Sequence, residues 1–267
     1  MLGQRGTAHV NGTQLYYETA GSGDALVLIH GHTLDVRMWD DQFATFAAQY
    51  HVIRYDMRGY GRSALPGDAL FSPADDLAAL LSYMGIAHAH VLGLSRGGVV
   101  AIDFALMYPQ VSDTLILADT ALREFAFKAF GEFTEAVKSL AASAGIDAAR
   151  QRWQQGALFA PALEQPRVAA RLAQLVGDYS GWHWLHQESL RVLQPPPTEQ
   201  LATLDMPTLV IVGERDLPDF QAIADLVHQR VPHATKAVIP GVGHMSNMED
   251  PARFNERVLE FLADHSN

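Results

Sequence analysis

Apolar residues along this chain fall into two recurring patterns. Short, nearly unbroken apolar runs occur at Ala25-Leu26-Val27-Leu28-Ile29, Ala89-His90-Val91-Leu92 and Thr208-Leu209-Val210-Ile211-Val212, and Val111 to Ala118 contains another apolar strand. Runs of this length without polar alternation predict strands buried on both faces. Between them, apolar residues recur at helical spacing over about 38–49, 73–86, 97–108 and Phe220 to Arg230. Residues 8–19 instead alternate around Asn11-Gly12, a hairpin signal that predicts an antiparallel edge. His51 opens a further strand, and Lys236-Ala237-Val238-Ile239 predicts the last one. Strands alternating with helices give an α/β class with a mostly parallel sheet and helices on both faces.

The alternation stops after Ala118-Asp119-Thr120. Residues 122–194 carry helical patterns and no convincing strand, as in Asp147 to Trp153 and Arg167 to Leu172, and Pro195-Pro196-Pro197 ends them stiffly. The expected organisation is one core domain, residues 1–121 and 195–267, interrupted by a helical insertion, residues 122–194. That insertion is rich in aromatics, among them Phe125, Phe127, Phe130, Phe133, Trp153, Phe159, Trp182 and Trp184.

Composition narrows the partners more than the fold. The 267 residues suffice for one α/β domain with an insertion, and 48% are hydrophobic. Nineteen basic against 30 acidic residues give a net charge of −11, which disfavours nucleic acid and anionic membrane. No apolar stretch approaches the roughly 20 residues that span a bilayer. Met1 to Gly6 lacks the apolar core of a signal peptide, so the cytoplasm is the expected location. With no cysteine there is no disulfide, catalytic thiol or thiolate metal site. His183 and His186 are three apart on a helical pattern, but no carboxylate or third histidine matches their spacing, so no metal is expected. No cofactor is expected either, and the methionines read as core or pocket filler. Oligomeric state stays open, a homo-oligomer included.

The candidate chemistry is concentrated at predicted strand ends. Gly93-Leu94-Ser95-Arg96-Gly97 reads G-x-S-x-G between a strand and a helix, the setting of a nucleophile elbow. The two glycines leave room for a strained turn that raises the Ser95 hydroxyl at the helix's positive end. A serine needs a histidine base held by a carboxylate, and with this elbow the chain order is serine, acid, histidine. Gly213-Glu214-Arg215-Asp216 follows one strand, and Pro240-Gly241-Val242-Gly243-His244 follows the next. Asp216 is preferred over Glu214, which lies too near the strand end, and over Asp219, which is placed to cap a helix. Among the twelve histidines, His244 has the glycine-loop setting that others such as His51, His228, His233 and His265 lack. For an oxyanion, the backbone N–H of Arg96 is one donor and that of His32, in His30-Gly31-His32-Thr33, the other, with Gly31 turning the loop. His30 reads as structural. For the His32 side chain, a pocket role and a plain loop role stand level.

Together, His30-Gly31-His32, Tyr55-Asp56-Met57-Arg58-Gly59-Tyr60-Gly61-Arg62-Ser63, the elbow, Gly213-Glu214-Arg215-Asp216 and Gly241-Val242-Gly243-His244-Met245 resemble the α/β-hydrolase family over nearly the whole chain. The closest-looking branch holds bacterial esterases, 3-oxoadipate enol-lactonase-like proteins and cofactor-free haloperoxidase-like proteins. The resemblance implies an eight-stranded, mostly parallel sheet and makes residues 122–194 a helical cap over the site. It implies a serine hydrolase for a small carboxylic ester or lactone, with Ser95, Asp216 and His244 catalytic. His32, Phe125, Phe130, Trp153, Trp184 and Met245 would line the pocket. Arg58 would tie loops together. Arg96 departs from relatives that carry a small or apolar residue, often Met, after the serine. The same triad also serves perhydrolysis and cleavage of β-diketone-type carbon–carbon bonds, and the fold also serves as a small-molecule receptor or scaffold.

Overall fold

A computed structural model describes residues 3–265. Met1 and Leu2, from the stretch read for a leader, and the last two residues of the expected core lie outside that range. Eight strands form one sheet: β1 (Gln4–Val10), β2 (Thr13–Ala20), β3 (Ala25–Ile29), β4 (His51–Tyr55), β5 (Ala89–Leu94), β6 (Ser112–Ala118), β7 (Thr208–Gly213) and β8 (Ala234–Ile239). Their order is β1-β2-β4-β3-β5-β6-β7-β8. The expected hairpin forms at Asn11 (φ 46°) and Gly12 (φ 69°), left-handed values that suit a tight turn between twisted strands. β2 runs antiparallel to both β1 and β4, while β3 to β8 pair in parallel. β3, β5 and β7 are buried at every residue, which is why their sequences show no polar face.

The helices of the first half are α1 (Asp40–Phe46), α2 (Pro73–Tyr83) and α3 (Arg96–Met107). The helical period over 38–49 resolves into a single 3-10 turn, Val36–Trp39, followed by the short α1. Asp35 imposes this start, because its carboxylate accepts the Arg37 N–H at 2.9 Å. α2 ends before Gly85, which takes φ 70°.

Between β6 and β7 run α4 (Ala129–Ala144), α5 (Ile146–Gln154), α6 (Ala160–Leu163), α7 (Pro166–Asp178) and α8 (Trp182–Leu185). The helical expectation for 122–194 fails at both ends: residues 122–128 form turns and loop, with Glu124 at φ 62°, before α4. After Leu185 the chain runs extended, and the Phe71 N–H donates to the Ser189 carbonyl at 3.0 Å while the Arg191 N–H donates to that of Phe71 at 2.8 Å. Long-range pairing with Phe71 overrides the local pattern. α9 (Pro197–Gln200), α10 (Pro218–Arg230), α11 (Ser246–Glu249) and α12 (Pro251–Ala263) complete the chain. α1 packs on α12 and α2 on α3. The helical segment is bound to the rest by the Trp153 indole N–H, which donates to Thr33 Oγ1 at 2.9 Å, and by Arg171–Asp41 and Arg37–Asp178, each at 2.8 Å. No helix among the described residues is long and apolar enough to cross a membrane.

Candidate active site

Three residues other than glycine have left-handed backbone at the carboxyl ends of the adjacent strands β3, β5 and β6. They are Thr33 (φ 65°), Ser95 (φ 55°) and Asp119 (φ 44°). Such values cost on the order of 1–3 kcal/mol each and persist only where the surroundings over-determine them. At Thr33 the hydroxyl donates to the His32 carbonyl at 2.6 Å and accepts the Trp153 indole N–H. At Ser95 (φ 55°, ψ −114°) the strand and helix are pressed together. A Cβ on Gly93 would lie 2.2 Å from the Gly97 carbonyl oxygen, and one on Gly97 2.1 Å from that of Ile29. Gly98, which the motif does not specify, is also crowded: its Cβ would meet Thr120 Oγ1 at 2.1 Å.

Gly31 does not turn the first loop as expected. The left-handed residue there is Thr33, and Gly31 serves by seating the loop against Ser95, whose Cβ would be 3.6 Å from a Cβ at position 31. Among the described residues neither the His32 nor the Arg96 backbone N–H donates to a protein acceptor, so both are free for a ligand. His30 is fully buried and joins two loops. Its Nε2 accepts the Met57 N–H at 3.0 Å and its Nδ1–H donates to the Gly31 carbonyl at 2.8 Å. Burial pushes its imidazole down to about 4, so it stays neutral.

The loops after β7 and β8 bring Asp216 and His244 together. His244 Nδ1 lies 2.9 and 3.1 Å from the two carboxylate oxygens of Asp216, and both side chains are buried. Neither rival acid reaches His244. Glu214 accepts the Gly241 N–H at 2.8 Å, and Asp219 accepts that of Lys128 at 3.3 Å rather than capping its own helix. His244 Nε2 is buried without a hydrogen-bond partner, and His244 lines the same cavity as Ser95. Ser95 Oγ and this nitrogen are not hydrogen-bonded, and such contacts often tighten only when substrate binds.

Two further carboxylates support this pair. Asp119 Oδ1 accepts the Gly213 N–H at 2.8 Å and Oδ2 accepts the Ser246 hydroxyl at 2.5 Å, tying the acid loop to the histidine loop. Burial, and then the Asp216 charge, push the Asp119 carboxyl well above the usual range. Glu249 accepts the N–H groups of Gly243 and Met245, at 2.8 and 3.1 Å, which flank His244. Asp119 is given no role from the sequence, although an acid directly after a buried strand is a signal for one. Glu249, five residues past His244, carries no sequence signal.

A cavity of about 680 Å³ opens over Ser95. His32, Phe125, Phe130, Trp153, Trp184 and Met245 all line it, while Phe133 and Trp182 do not; they stack on Trp153 and His186. Arg96, His183 and Glu188 add a polar part to the lining. The Arg96 guanidinium pairs with Glu188 on the extended strap after α8 and lies 5.7 Å from the Tyr60 ring centroid. Burial works to raise the Glu188 carboxyl, and Arg96 and His183 outweigh it, holding it down at about 2. His183 is taken up by Tyr179 at 2.9 Å and by Glu188 at 3.3 Å, and His186 by the Trp182 carbonyl, so the two do not face one ligand.

The profile of the alpha/beta hydrolase family matches residues 26–257. The chain is 29% identical over 251 residues to 3-oxoadipate enol-lactonase 2 of Acinetobacter baylyi, covering 91% of each. It superposes on a thermophilic esterase from Thermogutta terrifontis with a TM-score of 0.83 at 28% identity, covering 99% of this chain and 100% of the esterase. The enol-lactonase of Burkholderia xenovorans shares the fold with a TM-score of 0.84 at 24% identity, covering 97% of this chain and 100% of that one. With an eight-stranded, mostly parallel sheet, a serine at a strained strand-to-helix turn and these hydrolase relatives, the chain belongs to the alpha/beta hydrolase family.

Proposed function

We propose that this protein is a serine hydrolase that cleaves a small carboxylic ester or lactone through an acyl-enzyme. The observation that carries the reading is His244: Nδ1 engages Asp216 at 2.9 Å while Nε2 has no partner in the cavity that Ser95 also lines. Substrate enters under residues 122–194, which act as a cap, with its carbonyl oxygen toward the N–H groups of His32 and Arg96. Ser95 Oγ attacks the carbonyl carbon as His244 Nε2 takes its proton. Asp216 holds the ring and stabilises the imidazolium. The tetrahedral oxyanion is stabilised by the two backbone donors. It collapses as His244 protonates the departing oxygen, leaving an ester on Ser95. Water, deprotonated by His244, then releases the acid and restores the serine. Phe125, Phe130, Trp153 and Trp184 favour an apolar acyl or ring-bearing group.

The test is labelling by a fluorophosphonate, with turnover of graded nitrophenyl esters by the protein and its Ser95→Ala variant. Stoichiometric labelling at Ser95, and a loss of about 10³-fold or more in kcat for the variant, are expected. Unlabelled Ser95, or a Ser95→Ala protein of undiminished activity, overturns the reading.

A further inference from the structure

His32 is boxed by rings and held by one hydrogen bond. Its imidazole meets Tyr60, Trp153, Tyr179, His183 and Trp184 edge-on, with centroids 5.5 to 6.5 Å away. Its Nδ1 lies 2.7 Å from the Tyr60 hydroxyl. Tyr60 is only 2% exposed, and among the described residues its hydroxyl has no other partner. That fixes the direction of the bond. If Nδ1 carried the proton, the Tyr60 O–H would be a buried donor with no acceptor, at a cost of about 1–3 kcal/mol. The Tyr60 hydroxyl therefore donates and Nδ1 accepts. Burial, followed by the charges of His183 and Arg96, keeps the His32 ring neutral, so its single proton is on Nε2.

Nε2 faces a different environment. Among the described residues it has no hydrogen-bond partner, and it is not fully buried. His32 lines the cavity over Ser95. The neighbouring His30 has the opposite tautomer, since its Nε2 accepts the Met57 N–H. We infer that the His32 side chain is a substrate-binding donor, its Nε2–H selecting esters or lactones that carry a second oxygen acceptor close to the scissile carbonyl. The closeness follows because the backbone N–H of the same residue is assigned to the oxyanion. A substrate with a 3-oxo, alkoxy or hydroxyl oxygen satisfies the donor. One with a methylene there leaves it unpaired, and a site built to hydrogen-bond its substrate rejects such an analogue far more strongly than a missing methylene is rejected.

The inference rests on the serine-hydrolase reading for its substrate class, and its test has an arm that needs no turnover. In histidine-¹⁵N-labelled Ser95→Ala protein, long-range ¹⁵N–¹H spectra are expected to show His32 protonated at Nε2 and bare at Nδ1. Titration with methyl methoxyacetate is expected to shift the Nε2–H signal where methyl butanoate does not. A proton on Nδ1, or equal responses to the two esters, overturns the inference whatever the protein's activity. With active protein, nitrophenyl methoxyacetate and nitrophenyl butanoate are compared, each rate divided by its hydroxide-catalysed rate. The kcat/KM ratio favouring the oxygen-bearing ester is expected to fall about tenfold in His32→Phe, the loss of one hydrogen bond of about 1.4 kcal/mol. An unchanged ratio in an active variant also overturns it.

Discussion

Gly97 and Gly98 are adjacent in the elbow but differ in what a methyl group would strike. At Gly97 the obstacle is the Ile29 carbonyl, 2.1 Å away, in the middle of the sheet. At Gly98 it is the Thr120 side chain at the same distance. Backbone within a sheet cannot yield, whereas rotation carries Thr120 Oγ1 away and leaves a milder contact with Thr120 Cβ at 2.8 Å. Gly97→Ala is therefore expected to lose more than about 3 kcal/mol and Gly98→Ala about 1–3 kcal/mol, read from urea midpoints. A Gly97→Ala protein as stable as wild type would contradict the close approach. Asp119 gives a second contrast. Burial and the Asp216 charge push its carboxyl well up, and Asn matches it in shape. Asp119→Asn keeps a hydrogen-bonding group at this position and should cost less than Asp119→Ala, which strands the Gly213 N–H and the Ser246 hydroxyl for about 2–4 kcal/mol. The raised carboxyl contributes stability at low pH that is lost as pH rises through its folded value, so the Asn variant should lose less stability than wild type as pH rises from the acid range. Equal losses for Asn and Ala would mean that the hydrogen bonds to Asp119 are not what matters.

At the scale of elements, legibility followed from where the determining contacts lie. The central strands were readable because a strand buried on both faces is mostly apolar, and the site loops because each follows a strand-forming run, β8 among them although it is half exposed. The elbow was readable because Gly93 and Gly97 face backbone that admits no side chain. The strap after Leu185 was misread as helix because what straightens it, pairing with Phe71 over a hundred residues earlier, leaves no mark on the local pattern. For the same reason Glu188 went unnoticed, although it fixes the strap to Arg96 beside Ser95. Glu188→Gln leaves Arg96 without its counter-charge. The expected cost is about 2 kcal/mol, less than for a sealed pair because the Arg96 side chain is 27% exposed. Amide exchange within residues 186–192 should quicken by about tenfold or more while that of β5 and β7 stays unchanged. Uniform quickening would instead mean the pair stabilises the whole fold and not the strap.

Across the whole molecule, buried titratable groups of opposite behaviour offset one another. Asp56 is enclosed by the first loops, where it accepts the Val36 and Arg62 N–H groups at 2.8 Å each. Burial raises its carboxyl from 3.8 to about 7. Its contribution to stability is complete below 3.8 and is lost as pH rises through about 7. His30 does the reverse. Its imidazole, lowered from 6.5 to about 4, gives stability that is complete above 6.5 and lost as pH falls through about 4. Between these limits the unfolded chain holds one proton more at His30 and one fewer at Asp56, so the two slopes cancel. A wild-type profile alone hides both, and the net charge of −11 adds a background slope of its own. Subtraction isolates them. Asp56→Asn removes the acid and leaves His30 and nearly all the background in place. The stability of the variant minus that of wild type should therefore climb by about 1.4 kcal/mol per pH unit from about pH 4 to about pH 7. The absolute offset reflects the altered hydrogen bonds to Val36 and Arg62 and is the same at every pH, so only the slope is diagnostic. Urea unfolding of both proteins at about pH 4.5, about 5.5 and about 7 measures it. A level difference would mean that Asp56 is ionised throughout and that the loops around it supply enough donors to hold a buried charge.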